Sequence, residues 1–524
     1  MWEAPETIKE MLQRNVKDFP NRNAIASISF RTDKWVHETW KGLDRTTNHL
    51  AAGLDRIGVK KGHKIAFMQN NCVECVHTYL AVHKIGAIFI PVNTRFVARE
   101  VEQILKNSDT EHLIVAKEFM PIVEKLKDRK SGLKSITCFD KEGEIVPDWA
   151  IPFTELLGED EPPPEVSIGA DDEADLIFTS GTTGSPKGVI LTQANKVANG
   201  RLSGASMDQR RWHHTHARLQ TAFPFFTSAG ISTTLMGWLY YGYSLILEEK
   251  FDVVKALETI EREGSTFYAA APSMLIFILA HPRFREFDTS SIRGIVFGGS
   301  AMPEETIRRI LEAWPDVKMY NFYGLTEAGP GGTCLCITGA DFSKIGSIGL
   351  PWSADQEVRV VDDHDRDVKV GEVGEIIIRG PNVMKGYYKN PSATDEALLN
   401  GWLHTGDLGC FDNDQYLYYK DRKKDMIVRG GFNIYPAEVE SVMYEHPFVK
   451  QCAIVGKPHP KLGEDVLAYV ILKEGKELTA EDLMMFCSER LADFKCPRDI
   501  RFVESLPVNP TGKVDKKKLR VGSQ

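Results

Sequence analysis

The 524-residue chain has no run of ~18 apolar residues, so no segment of it is expected to cross a membrane as a helix. Positive charge is in deficit: 64 Lys and Arg face 73 Asp and Glu, a formal charge of −9. No overall basic field therefore draws the chain to nucleic acid. The last hundred residues hold 15 Lys/Arg and 15 Asp/Glu, so the acidic excess lies before them. Cysteine is scarce and odd in number, nine in all, and no apolar signal core follows Met1-Trp2-Glu3-Ala4-Pro5-Glu6. That start reads as a soluble protein, and the thiols point to a reducing cytoplasm. Cys72 and Cys75 form a C-x-x-C within Asn71–Lys84, a stretch of helical character, and have no second pair. They read as core packing rather than zinc ligands or a redox couple, as do Cys334 and Cys336. No internal repeat or low-complexity tract is found.

What is present is an ordinary globular composition, 42% hydrophobic and 26% charged, on a chain too long for one compact domain. Short β-branched runs alternate with helical stretches, which predicts α/β layers. Expected strands include Lys64–Met68, Ala87–Pro91, His112–Ala116, Asp175–Thr179, Ser244–Leu247, Thr266–Ala270 and Gly294–Phe297. Expected helices include Trp40–Ile57, Val73–Lys84, Arg95–Asn107, Val253–Glu263, Pro272–Ala280 and Pro303–Trp314. A more β-rich layer follows, with Val358–Asp362 and Glu375–Arg379. The charged segment Lys420–Asp425 separates a first domain, residues 1–423, from a small α+β domain, residues 424–524.

The most informative stretch is Thr179-Ser180-Gly181-Thr182-Thr183-Gly184-Ser185-Pro186-Lys187-Gly188, which follows the apolar Leu176-Ile177-Phe178. Glycines let backbone N–H groups approach a ligand, Thr and Ser add hydroxyls, and Lys187 adds a point charge. The loop is suited to an anion, above all a polyphosphate. It is not the P-loop pattern, because Pro186 replaces a glycine and no hydroxyl follows Lys187. Read alone, such a loop is more often a surface turn before a helix than a phosphate site; Lys187, the preceding strand and the motifs below reverse that reading.

Further fragments are each weak alone. Tyr323-Gly324-Leu325-Thr326-Glu327 offers Glu327 to Mg²⁺ and Thr326 to a phosphate, or is a plain capped turn. Asp407, in Gly401–Asp407, can accept from ribose hydroxyls. Gly298-Gly299-Ser300-Ala301 ends a strand with backbone free to flank a flat ring. Lys513 sits on a Pro/Gly-stiffened loop, Pro507–Val514, from which one charge can reach a distant site.

In this order and combination, from about Trp40 to Lys513, the fragments resemble the AMP-forming acyl-CoA synthetases. These belong to the adenylating superfamily that also holds firefly luciferase and peptide-synthetase adenylation domains. The resemblance implies that Thr179, Ser180, Gly181, Thr182, Thr183, Gly184 and Lys187 form the phosphate loop. It implies that Gly298, Gly299, Ser300 and Ala301 flank adenine, and that Asn321, Tyr323 and Gly324 line the same nucleotide site. Thr326 and Glu327 match the ATP and Mg²⁺ residues, Asp407 and Arg422 the ribose contacts, and Lys513 the adenylation lysine. Lys424 falls at a hinge about which a mobile C-terminal domain turns, bringing Gly430 and Gly431 to a pantetheine channel. ATP, Mg²⁺ and coenzyme A are the implied cofactors, and a carboxylic acid is the other substrate.

Where the family carries a His beside the acyl site, this chain has Thr227, in Phe223-Pro224-Phe225-Phe226-Thr227-Ser228-Ala229-Gly230. Phe225, Phe226, Thr227, Ala229 and Gly230 suggest an uncharged fatty or aryl group, or plain core. The stretch has no acidic residue to pair with a substrate amine, which argues against an amino acid. Asp208–Gln220 is basic and aromatic, with three histidines but no ligand spacing typical of zinc. It reads as a solvated loop, or as a contact to CoA phosphates or a membrane surface. The expected activity is a carboxylate–CoA ligase; the alternative is a stand-alone enzyme loading a carrier-protein thiol. A homodimer stays open.

Overall fold

The computed structural model describes residues 4–126, 132–141, 143–158, 162–179, 186–206, 217–300, 302–339, 342–509 and 513–521. The chain forms two compact units, residues 1–358 with 378–403 and residues 359–377 with 404–524. It passes between them at three places, each inside a strand: Glu357–Val361, Gly374–Arg379 and Trp402–Phe411.

The first unit is built on two large sheets. In one, the six strands Asn23–Ile28, Ser244–Leu247, Arg218–Thr221, Phe267–Ala269, Gly294–Gly298 and Lys318–Tyr323 run parallel in that spatial order. Antiparallel strands flank both edges, Trp35–Thr39 at one and Thr333–Ile337 at the other. In the second sheet Lys64–Met68, Ile88–Pro91, His112–Ala116 and Ser135–Phe139 are parallel. Ile88–Pro91 and His112–Ala116 are buried along their whole length, as expected for parallel strands covered on both faces.

The helix Val73–Lys84 is buried on every side, yet it carries Glu74, His77, His83 and Lys84. Each of these side chains has a polar neighbour within 3.2 Å, which is what makes such burial tolerable. Ser29 Oγ donates to Glu74 at 2.6 Å, His77 lies 2.6 Å from Glu38, and Lys84 lies 2.7 Å from Asp44. His83 lies 3.2 Å from Asp175, on the strand Glu173–Thr179. Lys196, from the helix Gln193–Ser206, meets the other oxygen of Asp175 at 2.5 Å; neither charged side chain is exposed at all. Tyr79 completes the cluster with a 3.2 Å hydrogen bond to Asp175.

In the second unit a sheet runs Phe432–Ile434, Ile427–Arg429, Gly463–Leu472, Val449–His459, with Asp499–Phe502 parallel to Gly463–Leu472. The helices Pro436–Tyr444 and Ala480–Ser488 pack against it through Val439, Met443, Leu483 and Cys487.

The elements read from the sequence are present to within a few residues. Three segments differ. Lys187–Thr192 is a strand pairing back on Glu173–Thr179, so the Gly/Thr-rich loop joins two antiparallel strands rather than preceding a helix. Arg218, Leu219 and Gln220 open a strand instead of closing a basic loop, and the Arg218 guanidinium donates to the Glu263 carbonyl. The charged run is not all solvated: Asp421 is buried and accepts from Ala437 N at 2.7 Å, capping the helix Pro436–Tyr444. Cys72 and Cys75 are both buried, with sulfurs 3.3 Å apart as free thiols.

Two stability predictions follow from the buried charges. Removing one partner of such a pair costs about 3–5 kcal/mol. Lys196→Met should therefore lower the unfolding free energy from denaturant titration by that order, and Lys196→Met with Asp175→Asn should recover part of the loss. Glu248, at the end of Ser244–Leu247, is also buried, and burial pushes its carboxyl from 4.5 up to about 7. The folded chain then holds this proton more tightly than the unfolded one, so the contribution to stability is complete below about 4.5 and is lost as pH rises through about 7. Thermal unfolding of Glu248→Gln should lack this decline between those two pH values.

Candidate active site

Residues 180–185 and Ala301 lie outside the described residues, and so do Ser180, Gly181, Thr182, Thr183 and Gly184 of the phosphate loop. The strands that carry the loop are described. Thr179 and Lys187 are the last facing pair across Glu173–Thr179 and Lys187–Thr192, and Thr179 Oγ1 donates to the Lys187 carbonyl at 3.4 Å. At Gly188 a Cβ would stand 2.9 Å from the end of the Leu176 side chain and 3.1 Å from the Phe178 ring, so any larger residue would displace them.

The Lys187 ammonium lies 4.8 Å from the ring centre of Tyr387. Tyr387 belongs to the two-residue strand Gly386–Tyr387, which pairs with the strand of Lys187. Its hydroxyl donates to Glu327 Oε1 at 2.9 Å. Burial, reinforced by the Glu327 charge, holds this phenol well above its ordinary range. One ring thus touches two residues expected to serve ATP.

Thr326–Ala328 is a single tight turn whose shape is enforced from both sides. A Cβ on Gly324 would stand 1.7 Å from the Pro330 carbonyl, and Gly329 takes φ +60°. Asn382, fully buried, donates to the Ala328 carbonyl at 2.6 Å and accepts from Gln356 at 3.3 Å. Met384 N donates to the Glu327 carbonyl at 2.8 Å. Among the described residues there is no group of three or more His, Cys, Asp or Glu able to enclose a metal. Glu327 and Thr326 offer hard oxygen donors, and one carboxylate with substrate phosphates is the set Mg²⁺ prefers. The residues fit the ion.

Gly298 and Asn321 lie on adjacent parallel strands, with Gly298 facing Phe322. A Cβ on Gly298 would come within 2.4 Å of the Phe322 carbonyl, and Gly299 turns away at φ +78°. Gly299 and Ser300 are exposed, and Asn321 Nδ2 donates to the Ser347 carbonyl at 3.4 Å. Tyr323 closes the same strand as Asn321.

The segment expected to line the acyl site takes an unusual form. Ala229–Thr234 is a π-helical turn, a geometry frequent at functional sites. The Thr227 hydroxyl donates to the Pro224 carbonyl at 2.7 Å and accepts from Gly230 N at 3.1 Å. Thr227 therefore braces the turn. Gly230 is buried, and its Cβ would meet the Pro224 carbonyl at 2.4 Å. Phe225 is 3% exposed and packs edge-on to Tyr79, whereas Phe226 and Ala229 are half-buried. Asn71 pins the segment, donating to the Phe223 carbonyl at 2.9 Å and accepting from Phe225 N at 2.8 Å. Lys196 reaches it from beneath, 2.7 Å from Ser232 Oγ.

In the second unit Asp407 and Arg422 face each other across paired strands, 3.0 Å apart as an ion pair. Asp407 is buried; Thr405 Oγ1 accepts from its N–H at 3.1 Å and donates to the Ile376 carbonyl at 2.6 Å. Lys513 is brought to the same pair. Burial lowers its amine from the usual lysine value and the Arg422 charge adds to this, against the pull of Asp407. The residue as a whole is exposed, which argues for a smaller shift than a fully enclosed amine would show. Its backbone exchanges two hydrogen bonds with Asn509, at 3.0 and 2.8 Å. Lys424 lies in the turn after Leu417–Arg422, and Arg520 donates to the carbonyls of Lys424 and Asp425 at 3.0 and 3.1 Å. Gly430 and Gly431, φ +59° and +85°, form the two-residue turn of a hairpin. That turn requires both glycines for backbone reasons alone.

Sequence reasoning missed Tyr387, Asn382 and Asn71. A Tyr after Gly386, and two asparagines in unremarkable surroundings, carry no signal until the chain is folded.

Comparison with known proteins matches residues 12–388 to the AMP-binding enzyme family and residues 438–513 to the AMP-binding enzyme C-terminal domain. A feruloyl-CoA synthase of an Amycolatopsis species is 35% identical over 92% of this chain and 93% of its own. The long-chain-fatty-acid–CoA ligase FadD13 of Mycobacterium tuberculosis is 35% identical, covering 97% of each chain. Among solved structures, the o-succinylbenzoate CoA synthetase of Bacillus subtilis in complex with ATP and a magnesium ion superposes with a TM-score of 0.82. It is 29% identical, and 98% of each chain is covered. With this fold, and with these motifs in place along nearly its whole length, the chain belongs to the AMP-forming acyl-CoA synthetases of the adenylate-forming superfamily.

Proposed function

We propose that this ligase joins an uncharged fatty or aryl carboxylic acid to coenzyme A, with Lys513 as the residue that drives the first half-reaction. The observation that carries the reading is the chemistry of Phe223–Gly230: half-buried Phe226 and Ala229 beside a braced turn, with no acidic group in the stretch. Relatives named for a hydroxycinnamic and for a long-chain fatty acid lie at equal identity, which supports the class and leaves the chain length open.

The substrate carboxylate attacks the α-phosphorus of ATP, pyrophosphate leaves, and an acyl-adenylate forms. Negative charge grows on the phosphoryl oxygens, so fixed cations and aligned N–H groups supply most of the stabilisation. We assign Lys513 to the carboxylate and α-phosphate, and Lys187 with its loop to the outer phosphates. Gly298, Gly299 and Ser300 fall to adenine, with Asn321, Tyr323 and Gly324 beside it. Asp407 and Arg422 fall to the ribose. Magnesium, when bound, would offset phosphate charge, with Glu327 to hold it and Thr326 on a phosphate oxygen. The CoA thiol then attacks the acyl carbon, AMP leaves, and the thiol proton is released. For that step we assign Lys424 as the pivot of residues 424–524, and Gly430 and Gly431 to the approach of pantetheine. Two positive-φ glycines leave a turn without side chains to obstruct a narrow ligand. We also place the protein in the cytoplasm. All nine cysteines are free, and no helix among the described residues is long and apolar enough to cross a membrane.

Two measurements test this. Lys513→Ala should lower acyl-adenylate formation by ~10² or more, the scale of losing a charge-stabilising donor. The same variant should convert supplied acyl-adenylate and CoA to thioester within about threefold of the parent rate; equal losses in both halves would remove the assigned role. A panel of straight-chain, branched, cinnamate-type and amino acids, scored for AMP release, should show CoA-dependent turnover with fatty or aryl acids. Best turnover with amino acids would overturn the substrate class. A single methylene should change selectivity by only ~1–3 kcal/mol.

A further inference from the structure

We propose that Tyr387 is a positioning residue for ATP and its metal, holding Lys187 on its ring face and Glu327 by its hydroxyl. The inference rests on the assignment of Lys187 and Glu327 to the nucleotide.

A lysine and a carboxylate on adjoining elements gain by pairing directly, and each would then be spent on the other. In this chain they do not pair. Among the described residues no carboxylate lies within ion-pair distance of Lys187, and the ring of Tyr387 occupies its ammonium at 4.8 Å. A ring face attracts a cation without neutralising it, so the charge remains for a phosphate. On the other side the hydroxyl donates to Glu327 Oε1 at 2.9 Å. That bond takes up one oxygen, fixes the carboxylate's rotation and leaves Oε2 to face an ion. Outer hydrogen bonds of this kind orient metal ligands, and their removal typically costs ~10–100-fold in metal affinity.

Tyr387 is itself well fixed. Its N–H donates to Thr394 Oγ1 at 2.9 Å, and Gly386 and Tyr387 pair with Ile190 and Val189 on the strand of Lys187. Gly386, at φ +152°, packs against the Thr394 side chain, where a Cβ would come within 2.8 Å. The same short segment also supplies Met384 N and Asn382 to the turn that presents Glu327. The strand of the phosphate loop and the metal-binding turn are thus tied through one stretch, and Tyr387 is where the tie reaches the functional groups.

The experiment compares Tyr387→Phe, Tyr387→Leu and Glu327→Gln in the full-length protein. Mn²⁺ binding is followed by its electron paramagnetic resonance in the presence of an ATP analogue that cannot be cleaved between its α- and β-phosphorus atoms. KM for ATP and the unfolding temperature are measured alongside. Tyr387→Phe keeps the ring and loses the hydroxyl, so it should weaken Mn²⁺ binding ~10-fold while KM for ATP at saturating metal stays within about twofold. Tyr387→Leu should show the same metal loss and, in addition, a severalfold rise in that KM. If Glu327→Gln weakens Mn²⁺ binding but Tyr387→Phe does not, the positioning role is wrong and the metal assignment stands. If Glu327→Gln leaves Mn²⁺ binding unchanged, the metal assignment itself fails, and the role of Tyr387 fails with it. Equal changes for Phe and Leu in every readout would also overturn the division of labour between hydroxyl and ring.

Discussion

Asp175 is a carboxylate with no exposed surface, and the geometry of the first unit follows from the need to satisfy it. An isolated charge so placed would cost several kcal/mol. Lys196, His83 and Tyr79 answer it from two helices, one on either side in sequence. Satisfying three partners at once leaves the strand Glu173–Thr179 little freedom to rotate or slide. The last residue of that strand is Thr179, and its neighbour across the pairing is Lys187. The roots of the loop proposed for phosphate are therefore set four residues beyond a fixed ionic cluster. Lys196 continues the same network to Ser232, inside the π-helical turn of the acyl segment.

In the first unit the candidate groups sit on strand edges and turns rather than on helix ends. The loop expected to cradle phosphate is carried by two antiparallel strands, with Thr179 and Lys187 as the last facing pair at its roots. The turn of Thr326 and Glu327 is shaped by glycines that tolerate no side chain and by the amide of Asn382. In the second unit Asp407 and Arg422 are held by strand register, which is a firmer restraint on two short-range partners than side-chain rotamers alone.

The sequence made the layered α/β fold legible because its buried parallel strands are continuous apolar runs with turn residues between them. The helix Val73–Lys84 was legible for its period, although its polar residues suggest exposure. Only the folded chain shows that Glu74, His77, His83 and Lys84 are all paired. The strand Lys187–Thr192 was missed because a Gly/Thr-rich loop with a following Lys is read by habit as a helix entrance. Lys-Gly-Val-Ile-Leu-Thr is β-branched enough to argue otherwise. Thr227 was legible as a departure from the family. That its hydroxyl is consumed by the backbone at Pro224 and Gly230 was not, since a threonine looks the same in sequence whether it braces a turn or faces a ligand. Tyr387 left no trace because its importance lies in what stands on either side of one ring.

The clasp of Arg520 on the carbonyls of Lys424 and Asp425 joins two points nearly a hundred residues apart in the chain. It means that the turn's backbone is shaped by a residue remote from it in sequence. A chain without this arginine would keep every group assigned to the nucleotide. It would still lose the donors that steady the turn, so the consequence would fall on that backbone and not on the groups assigned to the nucleotide.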